Sequence, residues 1–155
     1  MSHVYVRTGI EFENCQMALA HIGEEMLAKD VVHMTYPAAL LEREMSYPTG
    51  IALERHAVAI PHCEAIHAKK PAIYLIRPDK PVNFQQADDD ERVAVSLIIA
   101  LIVENPAAQM KLLRRLFSEL QNPETLDMLL SVPAELLAQR FRETILEPTS
   151  CMQAS

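Results

Sequence analysis

Residues 93–103 read VAVSLIIALIV, an apolar run whose only polar side chain is Ser96. A strand that is apolar on both faces lies in the interior of a sheet, with helices covering each side. The run is about half as long as the roughly 20 residues that a helix needs to cross a membrane. We therefore predict a buried central strand here, and no insertion of the chain into a membrane.

Two shorter apolar runs precede the central one. Residues 57–60 (AVAI) end at Pro61. Residues 72–76 (AIYLI) lie between Pro71 and Pro78. Proline has no N–H to donate to a neighbouring strand, so it is typical of strand ends. Both runs are therefore predicted to be strands.

Helices are predicted where asparagine, threonine or proline precedes apolar residues at helical spacing. Strands that alternate with such helices indicate an α/β fold. We predict one three-layer α/β/α domain, a central mixed sheet with helices on both faces, whose core covers about residues 10–146. The first two predicted helices extend from Asn14 to about Lys29 and from Thr35 and Pro37 to about Met45. Three more begin at Asn105–Pro106, Pro123 and Pro133. We also predict a short strand at 10–12 and a loose tail after Glu147.

Composition excludes several classes of protein. The length of 155 residues is that of one domain, and Lys and Arg total 14 against 21 Asp and Glu. The formal net charge of -7 argues against a nucleic-acid binder, which needs cations to neutralise phosphates. The 3 glycines form neither of the glycine-rich loops that hold nucleotides. The 3 cysteines, without a C-x-x-C pair or a secretory signal pattern, predict a reducing, cytoplasmic location.

His62 is the strongest candidate for chemistry. It follows Pro61, and the residue before a proline is extended, so His62 is expected at the end of a strand. Open α/β sheets place their functional sites at the carboxyl ends of the strands. A neutral imidazole is a nucleophile near neutral pH. Cys63 is an alternative nucleophile. His62 would be a poor base for it, because adjacent residues of an extended chain point to opposite faces.

Two groups of residues could suggest a metal site, and neither matches the pattern of one. His56, His62 and His67 are separated by six and five residues, which fits neither H-E-x-x-H nor a paired C-x-x-C site. The acidic run 88–91 lacks the glycine and the alternating ligands of a calcium loop. We predict a solvated loop at 88–91 and no metal.

Arg43 lies near the end of the second predicted helix, within LLERE at 40–44. A guanidinium group is planar and permanently charged, so Arg43 could hold a phosphoryl group. The alternative is an ordinary solvated helix pair with Glu42.

The run GIALERHAVAIPHC, residues 50–63, resembles the active-site signature of enzyme IIA from the fructose–mannitol family of the bacterial sugar phosphotransferase system. The core of that signature is [IV]-A-[IV]-P-H followed by a small residue, here 58–63. LERE at 41–44 is similar to the family element L-x-R-E. Later segments follow the family order, so the resemblance extends over about residues 10–146.

The resemblance implies the role of a phosphoryl carrier without a cofactor. His62 would accept a phosphoryl group at Nε2 from the histidine-containing phosphocarrier protein and pass it to a cysteine of enzyme IIB, which phosphorylates the sugar during uptake by membrane enzyme IIC. Arg43 would match the arginine that stabilises the phosphoryl group. Residues 47–69 and 85–106 are most similar to galactitol-specific members.

The chain departs from the family pattern at two positions. Many members have glycine shortly before the signature, where this chain has Arg55. Mannitol-type members carry a second histidine after the central strand, in an N-x-E-H context. The matching residues 105–108 (NPAA) contain none, which leaves Gln109, His56 and His67 as candidates to replace it.

Two alternatives to the carrier remain open: a regulatory relative of the nitrogen type, and a non-catalytic metal-binding domain that uses His56, His62 and His67. Phosphoryl transfer between proteins itself predicts a shallow site with an apolar rim. It also predicts that the ring nitrogen of His62 that stays unphosphorylated donates a hydrogen bond to an oxygen, whose identity the sequence leaves open.

Overall fold

The computed structural model describes residues 3–146, and within them the chain forms six strands and five α-helices. The strands are β1 (His3–Thr8), β2 (Gly50–Ala52), β3 (Ala57–Ala59), β4 (Ala72–Arg77), β5 (Val82–Gln85) and β6 (Arg92–Ile102). The helices are α1 (Cys15–Ala28), α2 (Tyr36–Ser46), α3 (Pro106–Leu120), α4 (Pro123–Ser131) and α5 (Ala134–Phe141), with a 3-10 turn at Ala65–His67 and a π-helical turn at Arg142–Leu146.

The strands form one mixed sheet around β6. The order is β1-β4-β6-β3-β2, and β5 pairs with the first part of β6. β6 is antiparallel to β4 and β5 and parallel to β3, while β1 is parallel to β4. The prediction that 93–103 is a central strand in a mixed sheet is confirmed.

Helices cover both faces of this sheet, as predicted. Side chains alternate along a strand, so successive residues of β6 enter opposite layers. Ile98, Ala100 and Ile102 belong to the core beneath α1 and α2. The other core lies beneath α3, α4 and α5 and contains Leu97, Ile99 and Leu101 of β6 with Leu116, Leu120, Leu126, Leu129, Leu137 and Phe141.

Asparagine caps begin three of the helices. The side chain of Asn14 accepts a hydrogen bond from Met17 N at 2.9 Å, which confirms the predicted start of α1. Asn105 accepts from two amides at the start of α3, and Asn122 caps α4 in the same way. Each side chain satisfies N–H groups that have no partner within the helix.

The predicted strand at 10–12 is wrong. β1 ends at Thr8, and Gly9 has a left-handed φ of 66° that turns the chain away from the sheet. Ile10 and Phe12 then pack against the core from a loop, which explains their apolar character. The sequence does not predict β1, β2 or β5. The predicted tail after Glu147, which includes Cys151, lies outside the described residues.

Of the helices in the described part of the chain, none combines the length and the hydropathy that a membrane span requires.

Candidate functional site

The structure places His62 three residues beyond the carboxyl end of β3, half-buried. Its Nδ1 lies 2.7 Å from the carbonyl oxygen of Ile60. A carbonyl can only accept, so Nδ1 carries the proton and donates it. In the neutral ring Nε2 then has the free lone pair. Ile60 O is therefore the acceptor that the sequence left open.

The surroundings of His62 favour its neutral form. Burial lowers the pKa of His62 below the ordinary value of 6.5, and the nearby Arg43 guanidinium acts in the same direction. The hydrogen bond to Ile60 opposes both effects. A neutral imidazole near pH 7 keeps a nucleophilic lone pair.

The backbone around His62 is held by other elements. Pro61 O accepts a hydrogen bond from Leu101 N of β6 at 3.0 Å. Cys63 O accepts one from Gln109 Nε2, on α3, also at 3.0 Å. The carbonyl groups on both sides of His62 thus have partners in the central strand and in a neighbouring helix.

His62 and Arg43 line the same pocket, which has a volume of about 230 Å³. The Arg43 guanidinium carbon lies 4.8 Å from the centre of the Tyr47 ring, a cation–π distance. Tyr47 is 66% exposed and Phe117 is 43% exposed, so aromatic side chains border the opening. The other lining residues are mainly apolar, namely Pro48, Thr49, Ile51, Ile60, Ala87 and Leu113.

Residues 1–139 match the family model described as phosphoenolpyruvate-dependent sugar phosphotransferase system, EIIA 2. The chain belongs to this family. As an enzyme IIA it is a phosphotransferase component that carries phosphoryl groups. The resemblance seen in the sequence is confirmed.

Individual relatives agree with that assignment. The galactitol-specific EIIA component of Escherichia coli K12 is 58% identical over 147 residues, 95% of this chain and 98% of that protein. A nitrogen regulatory protein of Pseudomonas aeruginosa is 32% identical over 103 residues, 64% of this chain and 63% of that protein. Enzyme IIA of mannitol from Escherichia coli, solved in complex with phosphorylated enzyme IIB, shares the fold with a TM-score of 0.62 and 19% identity over 94% of each chain.

The histidines of this enzyme IIA do not form one cluster. His56 Nε2 lies 3.2 Å from Asp127 Oδ1 on α4, and His67 Nδ1 lies 2.7 Å from the Thr35 hydroxyl. Within residues 3–146 no group of three His, Cys, Asp or Glu side chains could hold a metal ion. His56, His62 and His67 each have a different hydrogen-bond partner. Their side chains are not grouped as the ligands of one metal ion would be, so the structure does not support the metal-binding alternative.

Two other sequence candidates have ordinary surroundings. Cys63 is buried, and burial raises the pKa of its thiol to about 12, so it is a poor nucleophile at neutral pH. The acidic residues 88–91 are exposed, and Asp89 accepts a hydrogen bond from Glu91 N within the loop. The prediction of a solvated loop there is confirmed.

The sequence did not indicate several residues that the structure places at the site. Tyr47, Phe117 and Thr49 line the pocket, and the buried Glu44 accepts two hydrogen bonds from Thr49. Glu44 belongs to LERE, the same segment that contains Arg43, but that segment did not indicate that the Glu44 side chain is buried. The other three carry no local pattern that separates them from ordinary surface or core residues.

Proposed function

We propose that His62 accepts a phosphoryl group at Nε2 from the histidine-containing phosphocarrier protein and passes it to a cysteine of enzyme IIB. The observation that carries this proposal is the hydrogen bond from Nδ1 to Ile60 O, because it leaves Nε2 as the nucleophilic nitrogen. Arg43 lines the same pocket and would stabilise the phosphoryl oxygens.

Each transfer exchanges one bond to phosphorus. In the first, Nε2 of His62 forms a P–N bond while the P–N bond of the donor breaks, and the donor nitrogen keeps the electron pair. The proton on Nδ1 stays in its bond to Ile60 O. In the second transfer a thiolate sulfur of enzyme IIB forms the P–S bond, and Nε2 regains its lone pair.

Two partners must reach the same histidine in turn, and the pocket border suits that use. Tyr47 and Phe117 are exposed aromatic residues beside the opening, and exposed aromatic residues favour contact with another protein. The mannitol enzyme IIA that shares this fold was solved with phosphorylated enzyme IIB. That precedent supports enzyme IIB as one of the two partners.

The sugar proposed for the pathway is galactitol, taken up through the membrane enzyme IIC that works with enzyme IIB. Support comes from the 58% identity to a galactitol-specific EIIA component over nearly the full length of both chains. We also propose a cytoplasmic location, which agrees with 3 cysteines and no C-x-x-C pair.

The proposal is tested by phosphorylation with labelled phosphoenolpyruvate, the phosphocarrier protein and its kinase. The chain should acquire an acid-labile, base-stable label, and His62→Ala should abolish it. His56→Ala is the matched control, because His56 pairs with Asp127 outside the pocket, and it should label normally. Normal labelling of His62→Ala would refute the acceptor assignment.

A regulatory role is the second candidate, favoured by the 32% identity to a nitrogen regulatory protein. Such a protein would also accept the phosphoryl group but would pass nothing to enzyme IIB. Mixing the labelled chain with a galactitol-specific enzyme IIB decides between the two. Transfer of label to the enzyme IIB cysteine supports the carrier, and retention on the chain supports the regulator.

A further inference from the structure

A buried carboxylate is hydrogen-bonded to Thr49, one of the residues that line the His62 pocket. Glu44, in the last turn of α2, is 3% exposed. Its Oε2 accepts a hydrogen bond from Thr49 N at 2.7 Å, and its Oε1 accepts one from the Thr49 hydroxyl at 2.8 Å. Burying a carboxylate is unfavourable unless its oxygens are hydrogen-bonded, so both bonds are needed to keep Glu44 in the core.

These bonds orient the Thr49 hydroxyl. The hydroxyl donates its one proton to Glu44 Oε1 and directs a lone pair elsewhere. Ile60 N lies 3.2 Å from that hydroxyl oxygen and 3.4 Å from Thr49 O. The N–H of Ile60 is thereby held by Thr49, while the carbonyl of Ile60 accepts from His62 Nδ1.

We propose that Glu44 and Thr49 are positioning residues for His62. By holding Ile60, they keep its carbonyl oxygen where it binds the proton of Nδ1, and so they select the tautomer in which Nε2 is free. The inference rests on the proposed function in one respect, that Nε2 is the acceptor nitrogen. Because Glu44 follows Arg43 in α2, the same helix end positions both the histidine and the cation.

The test compares Thr49→Val, Thr49→Ser and Glu44→Gln with the unaltered chain. Valine keeps the shape of threonine and removes the hydroxyl, serine retains the hydroxyl, and glutamine removes the charge. Three quantities are measured: the tautomer of His62 by ¹⁵N NMR, the rate of phosphoryl transfer from the phosphocarrier protein, and the free energy of unfolding in urea.

Thr49→Val and Glu44→Gln should show both tautomers of His62 and a transfer rate lowered roughly tenfold, within the range for a misplaced reacting group. Thr49→Ser should keep the Nδ1–H tautomer and a rate close to that of the unaltered chain. A purely structural role would lower the stability of Thr49→Val while its tautomer and rate stay unchanged, and that result would overturn the proposal. If Thr49→Val does not fold, Glu44→Gln is judged by the same criteria.

The tautomer is measured without any phosphoryl donor. A tautomer shift in the variants, with no phosphorylation of the unaltered chain, would refute the proposed function and leave the positioning role standing. Normal phosphorylation of the unaltered chain, with no tautomer shift in the variants, would refute the positioning role and leave the proposed function standing.

Discussion

Replacing Gly50 by alanine tests the close approach of β2 to the end of β5. A Cβ atom on Gly50 would lie 2.6 Å from the backbone oxygen of Gln85 and 3.2 Å from Phe84 Cβ. A backbone oxygen cannot rotate away as a flexible side chain can. The two backbones would have to separate by about 0.8 Å to reach the 3.4 Å of an ordinary contact.

An added methyl group in a packed region costs about 1–3 kcal/mol, so we expect a loss of about 2 kcal/mol for Gly50→Ala. For a chain of this size that corresponds to a decrease in Tm of about 6 °C. The displacement also reaches Thr49, the preceding residue, whose hydroxyl holds Ile60 N. Phosphoryl transfer to His62 should therefore slow as well.

Calorimetry measures the change in Tm, and transfer from the labelled phosphocarrier protein measures the rate. Gly9→Ala is the matched control, because Gly9 has a φ of +66° and open space around its Cβ position. The left-handed conformation should cost that variant about 1–2 kcal/mol without altering transfer. An unchanged Tm for Gly50→Ala would refute the contact with Gln85. Equal slowing in both variants would show that general destabilisation, not the displacement of Thr49, controls the rate.

Three further expectations test the acceptor, the core and a helix cap. Because burial lowers the pKa of His62 below 6.5, its ring should be more than half neutral at pH 6.5, and an NMR titration midpoint at or above that value would contradict this. Leu97→Ala removes a fully buried side chain between β6 and the helices, and it should lower the free energy of unfolding in urea by about 2–5 kcal/mol. Asn105→Ala removes the cap of α3 and should cost about 1 kcal/mol in the same assay, so an unchanged unfolding midpoint would exclude a stabilising role for that cap.

The parts of the fold that sequence predicted well are those with local signals. β6 is apolar on both faces, and the helices begin at asparagine or proline, so each can be recognised from a short window. β2 and β5 have three and four residues, too few to show a clear strand period, and each pairs with the strand that follows it in the chain. β1 pairs with β4, a strand distant in the sequence, and no local pattern indicates that pairing.

The candidate site shows the same division. The proline before His62 predicted its place at a strand end, and the permanent charge of Arg43 made it a candidate to hold a phosphoryl group, in agreement with the resemblance. The contacts that complete the site come from other segments: Gln109 reaches the carbonyl of Cys63, and Thr49 reaches Ile60. Gln109 was one of three candidates to replace the second family histidine, and only the folded chain shows that it contacts the His62 loop.

The carbonyl groups of residues 60, 61 and 63 each have a partner, in the histidine ring, in β6 and in α3 respectively. A loop held at three of its four carbonyl groups has little freedom to change its path when two negative charges are added to His62. We expect the free and phosphorylated forms to share one backbone conformation. A partner that binds one form in preference to the other must then sense the charge itself, so salt concentration, more than any change of shape, should govern that preference.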